Sequence, residues 1–340
     1  MKAWTVTTAG PPSPSVLTLT DHPIPTPLAS ALLIKVTHAA LNPVDLHLIK
    51  VFPSWLPFRR NPIPGMDFAG EIVALGPSVP ASSSLKIGTR VCGALNLGQL
   101  FVGKGSLVEY VTIDHTLVAE IPEGVTGGAA AGMGGIAGQT AALIIKTAGG
   151  VKGKRLLING ASGGVGSVLV QACKGLGAEL VVGVCSGANE GLVKGLGAHE
   201  VVDYTGGGLE EKLKERFGGE KRLDFILDCA GSQRLFSLSE GYLNEGGRFI
   251  SIVGGASQGV VPFVRNKLRP VWLGGVPRGY TLLLLLPSGE TVQEAVRWLR
   301  DGVVKETLID SEFGFEDAVK AYQKLATGRA KGKVIVRVSA

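Results

Sequence analysis

Between residues 155 and 253, short apolar runs alternate with amphipathic stretches at regular spacing. Leu156-Leu157-Ile158-Asn159 breaks at Gly160 and gives way to a helical pattern over 167–176. A second apolar run over 180–184 precedes a short helical pattern over 190–196 that Gly197 closes. The alternation continues as a strand over 200–203, a charged helix over 209–217, a strand over 224–228, a helix over 233–243, a turn at Gly246-Gly247 and a strand over 248–253. Continuous apolar runs belong to strands buried on both faces, and strand–helix alternation builds a parallel, doubly wound sheet. Ligands of such sheets bind at the strand C-termini, where Gly163, Ser186, Ala230-Gly231 and Gly254 fall.

The first 125 residues follow another pattern. Short alternating segments at 32–36, 71–75 and 107–111 are separated by Pro- and Gly-rich connections, which predicts a compact β barrel, with 77–84 as a surface loop. Near the C-terminus, 291–299 and 315–325 have the period of amphipathic helices, and 333–338 that of a last strand. The fold class is therefore α/β. A barrel domain over 1–124 is expected to be completed by 288–340, with the doubly wound domain inserted at 125–287.

The turn after the first strand of the inserted domain carries candidate chemistry. Ala161-Ser162-Gly163-Gly164-Val165-Gly166 reads as Ala-x-Gly-x-x-Gly, which lets backbone approach a pyrophosphate while the next helix offers its N-terminal N–H groups. Alone, the same motif also describes a tight turn with no ligand. The end of the second strand bears on cofactor choice, because an NAD site places Asp or Glu there to hold the ribose 2′-hydroxyl. Here Cys185-Ser186-Gly187-Ala188-Asn189 stands instead, an uncharged loop whose Ser186 and Asn189 leave room for a 2′-phosphate. NADP(H) is the expected cofactor, although the loop holds no Lys or Arg and the nearest cation in sequence is Lys194.

Composition narrows the classes further. The 340 residues carry 34 Lys and Arg against 28 Asp and Glu, a net charge of +6. The basic residues are scattered, which suits attraction of an anionic cofactor and not a nucleic-acid groove. Four cysteines without CxxC spacing fit a reducing, cytoplasmic compartment and argue against a disulfide framework or a cysteine-rich zinc site. The N-terminus reads as a strand and not as a signal peptide, and the apolar run 282–286 is too short for a membrane span. That run is expected to be a buried or interface strand.

The chain resembles the medium-chain dehydrogenase/reductase superfamily, in its zinc-independent quinone oxidoreductase and enoyl reductase branch. The resemblance runs from residue 1 to 338. It rests on Asn42-Pro43-Val44-Asp45, Pro64-Gly65-Met66-Asp67-Phe68-Ala69-Gly70, Gly105 to Tyr110, Gly138-Gln139-Thr140-Ala141, the glycine turn, and Gly328-Arg329-Ala330-Lys331-Gly332-Lys333-Val334. It implies a GroES-like barrel beside a Rossmann domain, with the active site in the cleft between them. Zinc-dependent relatives carry Cys near Asn42 and Gly-His-Glu where Gly65-Met66-Asp67 stands, so no metal is expected here.

By the same resemblance, Asn42 and Thr140 lie near the nicotinamide, and Val253, Gly254 and Gly255 line it. Tyr204 and Ser186 lie at the 2′-phosphate, with Lys333 adding charge. His47 stands where many relatives carry Tyr, which makes it either the proton donor or a partly exposed helix histidine. Asp45 reads as a structural cap, and Trp55, Phe58 and Arg59 as pocket-shaping residues. The glycine-rich segment 127–135 departs from the relatives beside the nicotinamide pocket. The implied partner is a small apolar unsaturated carbonyl or a quinone, with homodimerisation through the strand at 282–286. Two other readings stay open at this point: an NADPH-binding protein without redox turnover, and a pathway-specific enzyme on an unsaturated metabolite.

Overall fold

The computed structural model describes residues 1–51, 61–253 and 266–339. Packing divides the chain into two compact units, one of Met1–Thr140, Leu286–Asp301 and Glu306–Ala340, the other of Ala141–Leu285 and Gly302–Lys305.

In the first unit, β1 (Lys2–Val6) and β2 (Leu17–Asp21) form an antiparallel pair. A seven-stranded sheet comprises β3 (Ala31–Leu41), β4 (Asp67–Leu75), β5 (Arg90–Ala94), β6 (Tyr110–Asp114), β7 (Val118–Glu120), β14 (Ile309–Gly314) and β15 (Lys333–Arg337). Its order is β14-β15-β3-β4-β5-β7, with β6 also paired to β3. Long β3 thus pairs with β6 along its first half and with the C-terminal β15 along its second. The inward alternation of these strands buries Trp4, Leu32, Ile34, Phe68, Ile72, Val111 and Val334 in one core, which Tyr322 joins from a helix. The stretch 107–111 is shorter as a strand than its alternation predicts: Val108 makes only a bridge to Ala3, and β6 begins at Tyr110.

Helices α1 (Pro43–Val51), α2 (Leu97–Phe101) and α3 (Gly127–Gly134) belong to this unit. So do α9 (Gly289–Arg300), capped by the Ser288 side chain on the Thr291 N–H, and α10 (Ala318–Ala326). The glycines of 127–135 have a packing reason. A Cβ at Gly134 would collide with Cys92 on β5, and one at Gly135 with Asp67 on β4. Because α3 lies that close to the sheet, packing moves the domain boundary expected at 124/125 to 140/141, inside α4 (Ile136–Ala148).

The second unit holds β8 (Arg155–Asn159), β9 (Leu180–Cys185), β10 (Glu200–Asp203), β11 (Leu223–Asp228), β12 (Leu243–Ser251) and β13 (Gly279–Leu282). They form one all-parallel sheet in the order β10-β9-β8-β11-β12-β13. This is the doubly wound order of dinucleotide-binding sheets, and it reverses direction between β8 and β11. Helices α5 (Gly164–Gly175), α6 (Glu190–Gly195), α7 (Leu209–Phe217) and α8 (Gln233–Ser237) join the strands. The helix expected over 233–243 stops at Ser237, because Tyr242 turns inward to donate its hydroxyl to the Leu235 carbonyl and Leu243 pairs with Leu223 in β12. Gly246-Gly247 is accordingly not a turn between elements but an irregularity inside β12. The strand expected over 282–286 ends at Leu282, leaving Leu284 and Leu286 exposed.

Candidate active site and cofactor site

In the second unit, the sequence Asn159-Gly160-Ala161 ends β8 and turns sharply. Gly160 has φ +80°, a conformation that a side chain resists, so the tight turn falls one residue before the Ala161 of the motif. A Cβ at Gly166 would collide with the Gly160 carbonyl, whereas one at Gly163 would come no nearer than 3.3 Å to that oxygen. Gly166 is thus required by the fold, whereas at Gly163 a Cβ would make only a tight contact with the Gly160 carbonyl. Gly163 caps α5 without any side-chain bond, and 162–165 are partly exposed while 166–173 are buried. The first-turn N–H groups have no intrahelical acceptor and point out at the place where the sheet reverses. This cradle fits a pyrophosphate.

The next corner is organised by a residue that motif reading missed. Asp228, at the end of β11, is buried and accepts from Asn159 Nδ2 (2.8 Å), the N–H groups of Ala230 (3.2 Å), Gly231 (2.9 Å) and Ser232 (3.1 Å), and Ser251 Oγ (3.2 Å). It fixes Ala230 and Gly231 beside the glycine turn. A small cleft lined by Gly231, Ser251, Val253 and Tyr280 lies at the same strand ends. Gly254 and Gly255, like Trp55, Phe58 and Arg59, lie outside the described residues.

At the end of β9, Asn189 donates to Ser162 Oγ (3.2 Å), so the 186–189 loop touches the glycine turn. Ser186 is partly exposed and Tyr204, just past β10, is 53% exposed. Lys194, the cation nearest in sequence, is paired with Glu190 at 2.7 Å. A cation that sequence distance hid is Lys212 of α7, whose Nζ donates to the Asp203 carbonyl at 3.1 Å.

In the first unit, Lys333 corrects an expectation. Its ammonium is 4% exposed and donates to Leu41 O (3.0 Å), Asn42 Oδ1 (2.6 Å) and Asp67 Oδ2 (3.1 Å). With all three donors committed inside its own unit, it is not a charge available to a phosphate. Instead it orients the buried Asn42. An ammonium can only donate, so Asn42 must present its oxygen, and its amide nitrogen donates to Ala40 O (3.3 Å). Asp67 also accepts from the Ile136 N–H at 2.8 Å, capping α4.

Asp45 accepts from the Asn42 N–H at 2.8 Å, while its Oδ1 and the Tyr322 hydroxyl are buried without a partner. Two buried carboxylates share one lysine here. Burial and the Asp67 charge push Asp45 up to about 7, and burial raises Asp67 too, against the pull of Lys333, Asn42 and Ile136. Gln139 is spent on structure, donating to Gly134 O and accepting from Thr291 Oγ1. Neighbouring Thr140 is buried at 5% exposure, and His47 lies on the exposed face of α1.

The Zinc-binding dehydrogenase family matches residues 196–336, and the Alcohol dehydrogenase GroES-like domain matches residues 29–123. A medium chain reductase of an Acremonium species, pydE, is 33% identical over 99% of both chains. The chain belongs to the medium-chain dehydrogenase/reductase superfamily, in its quinone oxidoreductase-like branch. A trans-enoyl reductase of Aspergillus terreus, pgmF, is 32% identical over 99% of this chain and 96% of its own. The solved structure of the quinone oxidoreductase from Coxiella burnetii superposes with a TM-score of 0.82 at 26% identity, over 100% of this chain and 99% of that one.

The zinc in the family name does not fit these residues. Asn42 and Met66 replace the ligand types a catalytic zinc needs, Asp67 is occupied by Lys333 and Ile136, and burial pushes the Cys92 thiol up to about 12, far from a thiolate. Among the described residues, no group of three or more His, Cys, Asp or Glu side chains is placed to hold a metal.

Two outcomes follow from this geometry. Gly163→Val is expected to leave the thermal midpoint nearly unchanged yet remove dinucleotide binding, whereas Gly166→Val lowers the midpoint itself. Calorimetry with cofactor titration separates them, and intact binding by Gly163→Val would discard the cradle. For Asp45, the folded protein holds a proton between about pH 4 and 7 that the unfolded chain releases, so rising pH lowers stability across that window and the loss levels off above it. Asp45→Asn should flatten this slope and stabilise the protein at pH 8 on the order of 1–3 kcal/mol. An unaltered stability–pH profile in the variant would show that Asp45 is ionised throughout.

Proposed function

We propose that the protein is a zinc-independent, NADPH-dependent reductase that delivers hydride to the carbon–carbon double bond of a small apolar α,β-unsaturated carbonyl. The observation that carries this reading is the partly exposed first turn of α5, open at the reversal point of the sheet. The trans-enoyl reductase relative supports the alkene substrate. A quinone acceptor is the second reading, favoured by the likeness to the Coxiella burnetii quinone oxidoreductase. The unit built on β8–β13 is assigned to the cofactor and the barrel unit to the substrate. The uncharged loop with Ser186 and Asn189, and Tyr204 beyond it, support NADPH over NADH.

Bound NADPH would supply the hydride, leaving an oxyanion on the substrate that needs donors and a proton. Asn42 is suited to donate, since the Lys333 ammonium on its oxygen polarises the amide and fixes its orientation. The Thr140 hydroxyl is the second donor, and His47 on exposed α1 is assigned as the proton source. The cysteine usage supports a cytoplasmic setting: all four are free thiols, and Cys92, Cys173 and Cys185 are buried. No single helix among the described residues is long and apolar enough to cross a membrane.

The edge strand β13 also supports a homodimer. It is the last strand of its sheet, and the chain leaving it exposes Leu284 and Leu286 by 73% and 62%.

The deciding assay is absorbance of NADPH and NADH in parallel against enones, enals and quinones. Consumption of one NADPH per enone, faster than with NADH and unaffected by a chelator, is expected; binding without oxidation would leave a non-redox role. Sedimentation equilibrium at micromolar concentration should give twice the chain mass, reduced to the monomer by Leu284→Lys. A monomeric native protein would reject the β13 interface.

A further inference from the structure

The acid that an NAD site carries at the end of its second strand is absent, but the adjacent strand places a carboxylate at the same corner. Asp203 ends β10 and pairs in register with Cys185, the last residue of β9. Its carboxylate leans back over the loop that follows β9. The first group that a Cβ on Gly187 would meet is this carboxylate, with Oδ2 at 2.6 Å. The Thr205 N–H (2.8 Å) and hydroxyl (2.7 Å) hold it in that position. These donors keep the group charged, lowering its pKa from the ordinary carboxylate range.

The charges nearby are balanced and do not favour an extra anion. Lys194 is neutralised by Glu190, and Lys212 is engaged by Asp203 itself, donating to its carbonyl and helping to hold its carboxylate charged. Both Asp203 and Glu190 raise the pKa of the Cys185 thiol behind burial as its main cause, which places two negative charges around the end of β9.

In doubly wound sheets, the loop after the second strand receives the adenosine ribose, where a carboxylate accepts from a 2′-hydroxyl and repels a 2′-phosphate. We propose that Asp203 is a specificity-determining residue, set against the ribose 2′-position, that restrains the preference for the phosphorylated cofactor. It acts through its charge, which opposes the phosphate from its position over Gly187. The preference for NADPH is therefore the residue of two opposed contributions, Ser186, Asn189 and Tyr204 on one side and Asp203 on the other. The inference rests on the dinucleotide reading of the α5 cradle.

The test uses the two adenosine halves of the cofactors as probes, adenosine 2′,5′-bisphosphate and adenosine 5′-monophosphate, titrated calorimetrically into the full chain. Asp203→Asn keeps an oxygen for Thr205 and removes the charge. It is expected to tighten the bisphosphate roughly fivefold, the size of one screened charge interaction near a surface, while leaving the monophosphate unchanged. Equal affinities of native and variant for the bisphosphate would overturn the assignment. Loss of both ligands in the variant would also overturn it, making Asp203 a holder of the loop and not a discriminator. If the native protein binds neither probe, the cofactor reading itself fails, and that result is separate from either outcome of the substitution.

Discussion

A single buried ammonium organises the first unit. Lys333 begins the last strand of the chain, and its three hydrogen bonds reach the end of β3, the Asn42 side chain and the start of β4. Through Asp67 the same contact extends to the first turn of α4. A charge removed from water is tolerated only when its donors are all satisfied, and removing one partner of such a pair typically costs about 3–5 kcal/mol. The C-terminal strand is thereby tied to the N-terminal half by polar contacts that have no alternative partner. The Asn42 carboxamide has one orientation as a consequence, with its oxygen on Lys333 and its nitrogen on the Ala40 carbonyl.

The second unit solves the related problem of a buried carboxylate without a cation. Asp228 collects neutral donors from β8, from the turn after β11 and from Ser251 on β12. The bonds draw three strand ends together beside the point where the sheet reverses. Each donor is locally cheap to supply, since Ala230, Gly231 and Ser232 offer backbone N–H groups of a turn that would otherwise face a ligand or water. The two units thus satisfy their buried charges by different electrostatic means, one with a full ion pair and one with a set of neutral donors.

Close backbone approach is the second constraint both units share. Gly166 lets α5 start against the Gly160 carbonyl, and Gly134 and Gly135 let α3 lie on β4 and β5. Glycine in these places answers to packing, so the departure of the 127–135 segment from its relatives has a structural reason at Gly134 and Gly135. A run of small residues signals that something comes near, without saying whether it is a ligand or another strand.

The local information in the chain was sufficient for the parallel sheet, because burial on both faces leaves continuous apolar runs and the strand-to-helix turn requires its glycines. It was sufficient for β10 and α7 to the residue, at 200–203 and 209–217. It was not sufficient for α8, whose helical pattern is overruled by the inward turn of Tyr242 and the pairing of Leu243. The motifs located Asn42, Asp67 and Lys333 separately, yet assigned Lys333 to a phosphate in the other unit. Only the tertiary structure decided that these three meet, that Asp203 overlies Gly187, and that Lys212 and not Lys194 is the cation held at that corner. Periodicity reports what each residue faces within its own element, whereas the partner of a buried charge is chosen by chain segments hundreds of residues away, and no local pattern records that choice.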